Sequence, residues 1–330
     1  MTIENIHTQM LANADMRRHF DNMMTEYSQT WYDISLLADV RPMTSPGTSM
    51  RVGHMGDVFA VNSNYADPSS TLRRIETYED DIQLVEREVP YFYPWKDFYR
   101  TGFNYGANLV SAMGKAFGKD KVQTIINTFQ SEVNLSAKTS ARLTVLDSDL
   151  GSGTPGTDTG LNKDKITAAK VALDGSDMDC DNRYLIGSNA VLQSFLTENL
   201  EFRSKDFLGA ETLTRSTLPE LYAGFKFYSV PSIIKSNMGN TLRENLGFTP
   251  TPQGGKKSLH YVFAVNKEAL AYVIRDLEPF DMWEEKMHMG TYHRKPYATG
   301  SRIIRTEGVV VIPCVIDDYP STKKEYQSVV

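Results

Sequence analysis

The chain opens with apolar residues that recur at steps of three and four. This spacing places them on one face of a helix, because an α-helix completes a turn every 3.6 residues. The members of this stripe are Phe20, Met23, Met24, Tyr27, Trp31 and Ile34. A helix with such a one-sided stripe must cover it with another surface, either in its own chain or in a second copy.

Residues 46–94 follow with an extended and strongly charged pattern. Two stretches, Met50–Val61 and Leu72–Val89, flank a turn-rich link at Asn62–Ser70, which predicts a long hairpin. The second arm is half charged and is therefore too polar for a buried strand. Because a two-stranded ribbon is marginally stable alone, we expect a projecting hairpin that completes its packing on a neighbouring chain.

The strongest helical pattern covers Asn104–Glu132. Apolar residues recur along it at helical spacing, and they include Leu109, Met113, Ala116, Val122, Ile126 and Phe129. A straight helix of this size spans on the order of 40 Å. Gly106, Gly114 and Gly118 weaken a helix, so they indicate either a bend or a close crossing with another element.

The rest of the sequence predicts short strands and helices separated by two loops, at 147–163 and 236–258, which are rich in Gly, Ser, Thr, Asn and Pro. The predicted elements are a helix Lys163–Leu173, a buried strand turning into a helix over Arg183–Leu196, strands Ala223–Val230 and His260–Val265, a helix Lys267–Arg275, and a closing hairpin Ile303–Ile316 with Gly308 at its turn. This mixture predicts the α+β class.

Composition narrows the class of protein. With 330 residues, of which 41% are hydrophobic and 23% charged, the chain can form one large core or two domains, and disorder is excluded. Its longest apolar run, Val309–Ile316, is far shorter than the roughly 20 residues of a membrane helix. Charged residues near the start argue against a signal peptide. Two distant cysteines suit a reducing cytosol, and the net charge of −6 argues against a dedicated nucleic-acid binder.

Three groups of residues contain side chains that could support chemistry. Gly114–Asp120 has glycines and a lysine but lacks the spacing of a phosphate loop. The acids in Asp174–Asp181 lack the glycine and terminal glutamate of a calcium loop. His288 and His293, near Glu284 and Glu285, form no HExxH zinc motif. One hypothesis is therefore an enzyme that binds a metal through Asp177, Asp179 and Asp181, or a nucleotide at 114–120; plain helix, turn and surface explain these groups better.

Taken in order, the elements resemble the major capsid proteins of tailed bacteriophages, whose fold also occurs in encapsulins and in the herpesvirus capsid floor. A charged hairpin at 47–94 leads into the long helix 104–132. Three further stretches are similar to that family: Lys165–Leu196, Leu221–Ile233, and His260–Leu277 with the YATGSRIIRTEGVVVI segment. The resemblance covers residues 43–317 and rests on the order and spacing of these motifs.

The resemblance implies a tailed-phage major-capsid fold with five parts. They are an N-terminal arm (1–46), an extended hairpin loop (47–94), a peripheral domain with the spine helix (95–177), an axial domain (178–275) and a return to the peripheral domain (276–330). It implies a structural protein that self-assembles into an icosahedral shell around the double-stranded DNA of a tailed phage, with no catalysis, cofactor or metal. An encapsulin-type nanocompartment shell is the alternative with the same fold.

A shell subunit must bury surface between copies, which makes the arm and the hairpin candidate contacts. The residues predicted to lie between subunits are Phe20, Met24, Trp31, Arg73, Arg74, Glu79, Asp80, Asp81, Glu86, Arg87 and Glu88. Exposed ion pairs contribute about 0–1 kcal/mol each, but they set register and exclude wrong partners. The competing interpretation is that these charges only keep the hairpin soluble.

The resemblance also implies partners and a location. The chain would form pentamers and hexamers in the virion head, after assembly in the host cytoplasm. It has no room before its arm for the scaffolding segment of some members, so we expect a separate scaffolding protein. A portal protein, a possible decoration protein and weak, non-specific contact with packaged DNA are further expected partners; a membrane is not.

Overall fold

The computed structural model of the chain describes residues 14–31, 33–44, 47–55, 77–94, 105–139, 143–153, 159–176, 178–198, 221–230, 257–277, 281–285 and 287–317. Contacts within the chain divide it into two compact units. The first unit comprises Met1–Ile125 and Ala271–Ile304, and the second comprises Ile126–Leu270 and Arg305–Val330. The five parts implied by the family resemblance stay a prediction.

The described residues form four α-helices and thirteen strands. The helices are α1 (Ala14–Trp31), α2 (Tyr105–Thr139), α3 (Lys163–Asp174) and α4 (Asn189–Glu198). The strands are β1 (Asp39–Pro42), β2 (Ser49–Met55), β3 (Thr77–Gln83), β4 (Val85–Pro94), β5 (Thr144–Val145), β6 (Arg183–Ser188), β7 (Leu221–Tyr222), β8 (Phe225–Val230), β9 (Lys257–Asn266), β10 (Leu270–Asp276), β11 (Asp281–Glu285), β12 (Gly290–Ile303) and β13 (Val309–Asp317).

The two helices predicted from the strongest periodicity are confirmed. Helix α1 carries the terminal apolar stripe. Helix α2 is continuous over 35 residues, or about 50 Å, and it ends seven residues beyond the predicted Glu132. Its glycines therefore do not interrupt the helix, which leaves a close crossing with another element as their explanation.

The first unit contains a five-stranded sheet centred on β12. The strand order is β1, β10, β12, β11, and β4 also pairs with β12. The β4 pairing is antiparallel and long, from Gly290 opposite Pro94 to Thr299 opposite Val85. Strand β1 runs parallel to β10. The charged second arm of the predicted hairpin thus becomes, from Val85 onward, a strand of this sheet.

The remainder of the predicted hairpin is a separate two-stranded ribbon. Strands β2 and β3 are antiparallel, with Ser49 opposite Gln83 and Met55 opposite Thr77. The predicted turn at 62–70 lies outside the described residues. The ribbon does not rely on a neighbour for all of its packing, because Val52 and Ile82 are buried in its own unit.

The second unit contains a six-stranded sheet in the order β5, β13, β9, β6, β8, β7. Helices α3 and α4 cover one face, where Ile166, Leu192 and Ile312 belong to one core cluster. On the other face, Phe129 of α2 stacks on Phe263, with ring centroids 4.9 Å apart. Both faces of β9 and β13 are therefore buried, which explains their nearly unbroken apolar sequences. The predicted helix 163–173 and the strand-to-helix segment 183–196 are confirmed.

The helix predicted over Lys267–Arg275 is wrong. Residues Lys267–Ala269 form a single 3-10 turn, and β10 begins at Leu270. Its central residues Ala269–Ile274 are all apolar, so periodicity cannot distinguish a buried helix from a buried strand there. The β-branched Val273 and Ile274 favour a strand, and pairing with β1 realises that preference.

The closing hairpin predicted over Ile303–Ile316 is also wrong. Strand β12 belongs to the sheet of the first unit, whereas β13 pairs with β9 and β5 in the second. Gly308 ends a 3-10 turn and is not the turn of a hairpin. A Cβ there would lie 2.5 Å from Met178 Sδ and 2.6 Å from Ala269 Cβ, so the residue permits close packing.

The loop predicted at 147–163 is irregular, but hydrogen bonds fasten the parts that the structure describes. Asn162 caps α3 by accepting from the Lys165 N–H, and its Nδ2 donates to Leu150 O at 2.7 Å. The buried Lys165 Nζ donates to Thr159 O and to Pro313 O, each at 2.8 Å. Residues 154–158, and most of the loop predicted at 236–258, lie outside the described residues.

Candidate assembly surfaces

The apolar stripe of α1 is covered by its own chain. Its described members Met23, Met24 and Tyr27 pack on residues of α2 and on a tyrosine of β12, which are Leu109, Val110, Met113, Phe117 and Tyr297. Met24 is fully buried. This corrects the expectation for Met24, because its side chain offers no surface to a second subunit. The side chains of Phe20 and Trp31 lie outside the description, so their contacts stay a prediction.

Gly114 lets α1 cross α2 closely. A Cβ at this position would lie 2.7 Å from Tyr27 Cβ and 2.9 Å from Met24 O. Both distances are shorter than van der Waals contact, and neither atom is the end of a flexible side chain. Of the two explanations for the glycines of α2, the close crossing therefore applies at Gly114.

Two buried lysines contact α1. Lys295 on β12 places its Nζ 2.6 Å from Asp21 Oδ1 of α1 and 3.4 Å from Asp276 Oδ1. Lys121 on α2 donates from its Nζ to Ser28 Oγ of α1 at 3.3 Å. Its Nζ also lies 3.9 Å from the centre of the Phe117 ring, a distance typical of a cation–π contact.

The two lysines are not electrostatically equivalent. Burial lowers the pKa of Lys121 to about 8, the carboxylates of Asp276 and Asp33 oppose that shift, and the Lys295 charge adds to it. The positive charge of Lys121 is therefore held at a cost in its desolvated position. Helix α1 is therefore held by the ion pair of Asp21 with Lys295 and by the hydrogen bond that the desolvated Lys121 donates to Ser28.

Arg87 is also engaged within its own chain. Its guanidinium forms an ion pair with Asp120 of α2, and Tyr297 donates from its hydroxyl to Asp120 Oδ2 at 2.7 Å. Burial, followed by the bond to Asp120, raises the pKa of the Tyr297 hydroxyl. Asp120 thus matches the charge of Arg87 within the chain, between β4 and α2. The predicted contact of Arg87 with another subunit stays a prediction.

The acidic residues of the ribbon form ion pairs with arginines of the first unit. Asp80 pairs with Arg302 of β12 at 2.8 Å. Arg51, on the opposite strand of the ribbon, lies 3.5 Å from Glu79 and 3.2 Å from Asp81. Both pairs of Arg51 are exposed, so each contributes little to stability.

The remaining predicted charges divide into two groups. Glu86 and Glu88 are exposed on β4, where they are available to a second subunit. Arg73 and Arg74 lie outside the described residues. The intersubunit roles of these four residues, and of Glu79 and Asp81, stay predictions.

An exposed apolar group lies at the turn between β11 and β12, and sequence patterns did not predict it. We call it the tip cluster, and it consists of Phe92, Met287, His288 and Met289. The side chains of Met287, Met289 and Phe92 are 89%, 60% and 37% exposed. The neighbouring Tyr91, also 37% exposed, lies on the opposite face of β4. The Phe92 and His288 rings meet edge to face at 6.2 Å. Exposed apolar groups of this kind mark interaction surfaces.

The sequence contains one signal for the tip cluster. Tyr91 and Phe92 form part of an aromatic run at the base of the predicted hairpin, whereas Met287 and Met289 belong to no periodic pattern. Only the pairing of β4 with β12 brings the two stretches together. Met289 also has a positive φ of 49°, which is unusual for a residue with a side chain.

The groups considered for catalysis do not assemble into a site among the described residues. Residues 114–120 lie within α2, and Asp174 forms an ion pair with Arg183; Asp177 is outside the description. No cluster of three or more His, Cys, Asp or Glu residues in the described ranges could hold a metal. None of the described helices has the length and apolarity to cross a membrane.

The fold is shared with proteins of phage heads. Chains from the capsid of Ralstonia phage GP4, the capsid of cyanophage P-SCSP1u and the head of Helicobacter pylori bacteriophage KHP40 superpose with TM-scores of 0.58, 0.55 and 0.54. Their sequence identities are 9%, 18% and 9%. The superpositions cover 87%, 84% and 83% of this chain, and 89%, 86% and 88% of the respective phage chains.

At these identities the structures establish the fold, while the sequence itself establishes the family. No curated protein matches the sequence. The family model described as phage capsid protein matches residues 35–316, which is most of the chain and includes the ribbon, the spine helix and both sheets. The chain therefore belongs to the phage capsid protein family.

Proposed function

We propose that copies of this chain assemble as pentamers and hexamers around the double-stranded DNA of a tailed phage. The chain is a major capsid protein that forms the icosahedral shell of a phage head. The observation that carries this conclusion is the family match over residues 35–316. The family is structural, and an encapsulin-type compartment is not favoured because the matching model describes phage capsids.

Two surfaces of the first unit support contact between copies. The tip cluster groups exposed apolar side chains, Met287, Met289 and Phe92, in the way that interaction surfaces do. The outer side of the ribbon exposes Glu79 and Asp81, and Glu86 and Glu88 are exposed on β4. Apolar area supplies attraction between subunits, whereas the charges select register.

Further partners follow from the role of a container. A separate scaffolding protein would guide assembly in the host cytoplasm, and a portal protein would occupy one vertex; a decoration protein could bind the finished shell. The net charge of −6 suits a wall that touches DNA weakly, since a basic wall would bind the phosphate backbone tightly.

The test is the assembly state of the purified chain. Size-exclusion chromatography with light scattering, followed by electron microscopy, would be applied to the chain alone and to the chain co-expressed with a candidate scaffold. We expect pentamers or hexamers that convert to closed shells. A monomer or dimer that persists with every scaffold candidate would contradict the proposal, and ligand screens with metals and nucleotides would then follow.

A further inference from the structure

The ribbon leaves the five-stranded sheet at a crossing that only glycine permits. Its two arms are joined at the base, where Leu84 N–H donates to Thr48 O at 2.8 Å. There β12 passes against the end of β3 at Gly300. A Cβ on Gly300 would overlap the carbonyl oxygen of Gln83 and lie 2.9 Å from Ile82 Cγ2. A backbone atom cannot yield as a side chain can, so the approach itself requires glycine.

Arg302 binds the same strand two residues further along β12. Its Nη2 lies 2.8 Å from Asp80 Oδ1, and its Nη1 donates to Asp81 O at 3.0 Å. Residues 300 and 302 share one face of β12, because side chains alternate along a strand. A guanidinium that holds a carboxylate and a backbone carbonyl in one planar fork fixes direction as well as distance.

Two further contacts join the ribbon to strand β10 of the sheet. Val52 and Ile82, on the inner face of the ribbon, form one apolar cluster with Ala271 and Val273 of β10. Arg275 Nη1 donates to Gly47 O at 2.7 Å. The inner face of the ribbon is thus attached to the sheet by apolar packing, by ion pairing and by backbone contact, while its outer face stays exposed.

We infer that Gly300 and Arg302 are positioning residues for assembly, which set the angle of the ribbon and thereby the curvature of the shell. This inference rests on the proposed function, since it assumes that the ribbon reaches the next subunit. The described arms are seven residues long, or about 23 Å at 3.3 Å per residue. A rotation of about 10° at the base moves the far end of such an arm by about 4 Å.

The experiment compares Gly300→Ala, Arg302→Ala and Arg302→Lys. The control is Arg41→Ala, because Arg41 is another arginine of the same sheet with a matching side-chain exposure, 36% against 37%, and its partner is Asp39 of its own strand. The unassembled subunit carries spin labels on cysteines that replace two exposed residues, Tyr78 of the ribbon and Ala112 of α2, in a Cys180→Ser background. The labels report the distance from the ribbon to α2. Electron microscopy of the assembled product reports shell diameter.

We expect Gly300→Ala to move the mean label distance by several ångström and to change the shell diameter. Arg302→Ala should broaden both distributions. Arg302→Lys keeps the positive charge but cannot bind both oxygens with one planar group. Its distributions of label distance and shell diameter should be intermediate in width between those of wild type and Arg302→Ala. It replaces Arg302→Ala in the comparison if the alanine variant fails to fold. Arg41→Ala should match wild type in both measurements.

Two results would overturn the inference. One is an unchanged label distance in both Gly300→Ala and Arg302→Ala. The other is a shifted distance with a shell diameter identical to that of wild type, since curvature would then be set elsewhere. A wild-type chain that forms no shells under any condition contradicts the proposed function instead, so the two failures are distinguishable.

Discussion

Helix α1 and the β2–β3 ribbon look alike in sequence, as two segments with more surface than they can satisfy alone. In the folded chain the two segments differ in how much of this surface is buried. The stripe of α1 is buried on α2 and β12, with Met24 fully enclosed. The ribbon buries only its inner face, through Val52 and Ile82, and keeps Glu79 and Asp81 exposed.

The difference shows where surface for other subunits is to be found. An apolar stripe reveals that a helix has a partner but not to which chain the partner belongs, and here it belongs to the same chain. Two of the surfaces that the described residues leave open are the outer side of the ribbon and the tip cluster. Substitutions in α1 should therefore change folding, whereas substitutions in the open surfaces should change assembly.

The largest effect on folding is expected from Gly114→Ala. The new Cβ would lie 2.7 Å from Tyr27 Cβ and 2.9 Å from Met24 O, so α1 must move away from α2. We expect the free energy of unfolding to fall by about 2–3 kcal/mol, as for overpacked cores. Urea unfolding of the unassembled subunit measures this change, and limited proteolysis within α1 should accelerate.

The same substitution in the ribbon supplies the control. At Gly53 the nearest atom to a new Cβ is Tyr78 O at 3.8 Å, which is ordinary contact. Gly53→Ala should change the free energy of unfolding by no more than about 0.5 kcal/mol. Equal destabilisation by both variants would show that the α1 crossing is not the tighter of the two regions.

The next effect concerns the buried cation beneath α1. Lys121→Met removes a charge whose pKa is lowered to about 8 by burial. The shift from 10.5 corresponds to roughly 3 kcal/mol of penalty in the folded state, and the lost bond to Ser28 returns about 1 kcal/mol of that. We therefore expect the variant to be more stable than wild type by about 2 kcal/mol at pH 7.

The pH dependence fixes the sign of this prediction. Below pH 8 Lys121 is charged in both folded and unfolded chains, and the penalty is complete. Between about pH 8 and 10.5 the folded chain loses the proton first, so the stability of wild type rises toward that of the variant. Urea unfolding at about pH 7, 9 and 10.5 measures the gap, with Lys119→Met as the control on the same helix. A gap that stays constant over this range would contradict the assignment.

Elements whose structure is determined by neighbouring residues could be predicted from the sequence, whereas elements determined by pairing with distant residues could not. Helices α1 and α2 have clear 3.6-residue patterns, and the strand-to-helix segment at 183–196 follows one apolar run, so local pattern was sufficient. Strand β10 was mistaken for a helix because a segment buried on all sides has no periodicity. The pairing of β13 with β9 could not be predicted either, because pairing between strands that are distant in sequence produces no pattern in a short stretch of residues.

The same limit applies to the candidate contacts between subunits. Charge in a sequence says nothing about whether its partner lies in the same chain: Arg87 finds Asp120, and Asp80 finds Arg302, across long separations. The aromatic run at Phe92 was visible in the sequence, but its proximity to Met287 was not, because the two residues are almost two hundred positions apart. The family, by contrast, could be identified because the order of elements survives where individual contacts do not.

A substitution in the tip cluster should affect assembly alone. Met287 is 89% exposed, so Met287→Asp removes no core contact, and the free energy of unfolding should stay within about 0.5 kcal/mol of wild type. If the side chain is buried between subunits, an unpaired carboxylate there is costly, and the protein concentration needed for assembly should rise at least about tenfold, or 1.4 kcal/mol. Light scattering during assembly measures this threshold.

Val171→Asp on α3 is the matched control for that variant. Val171 is also a strongly exposed apolar residue, at 66%, but it lies outside the tip cluster. We expect it to assemble like wild type. If both variants raise the threshold equally, added negative charge is the cause, and the tip cluster loses its special role.

A small gain in stability is expected from Met289→Gly. Met289 holds a left-handed backbone at φ 49°, which costs a residue with a side chain about 1–2 kcal/mol. The glycine relieves that strain but frees the unfolded chain, so we expect a gain in unfolding free energy of no more than about 1 kcal/mol. Because the variant also deletes an exposed apolar side chain, assembly should weaken while the subunit becomes more stable. Urea unfolding and the light-scattering threshold measure the two changes.

Ala223→Gly separates relief of strain from loss of the side chain. It relieves the same strain at φ 53° without removing a large side chain, and it should stabilise the subunit with no loss of assembly. Strain that persists where a large side chain is exposed is the expected signature of a residue retained for contact with another subunit. A Met289→Gly variant that assembles as readily as Ala223→Gly would remove that argument, because the exposed methionine would then contribute nothing that glycine does not.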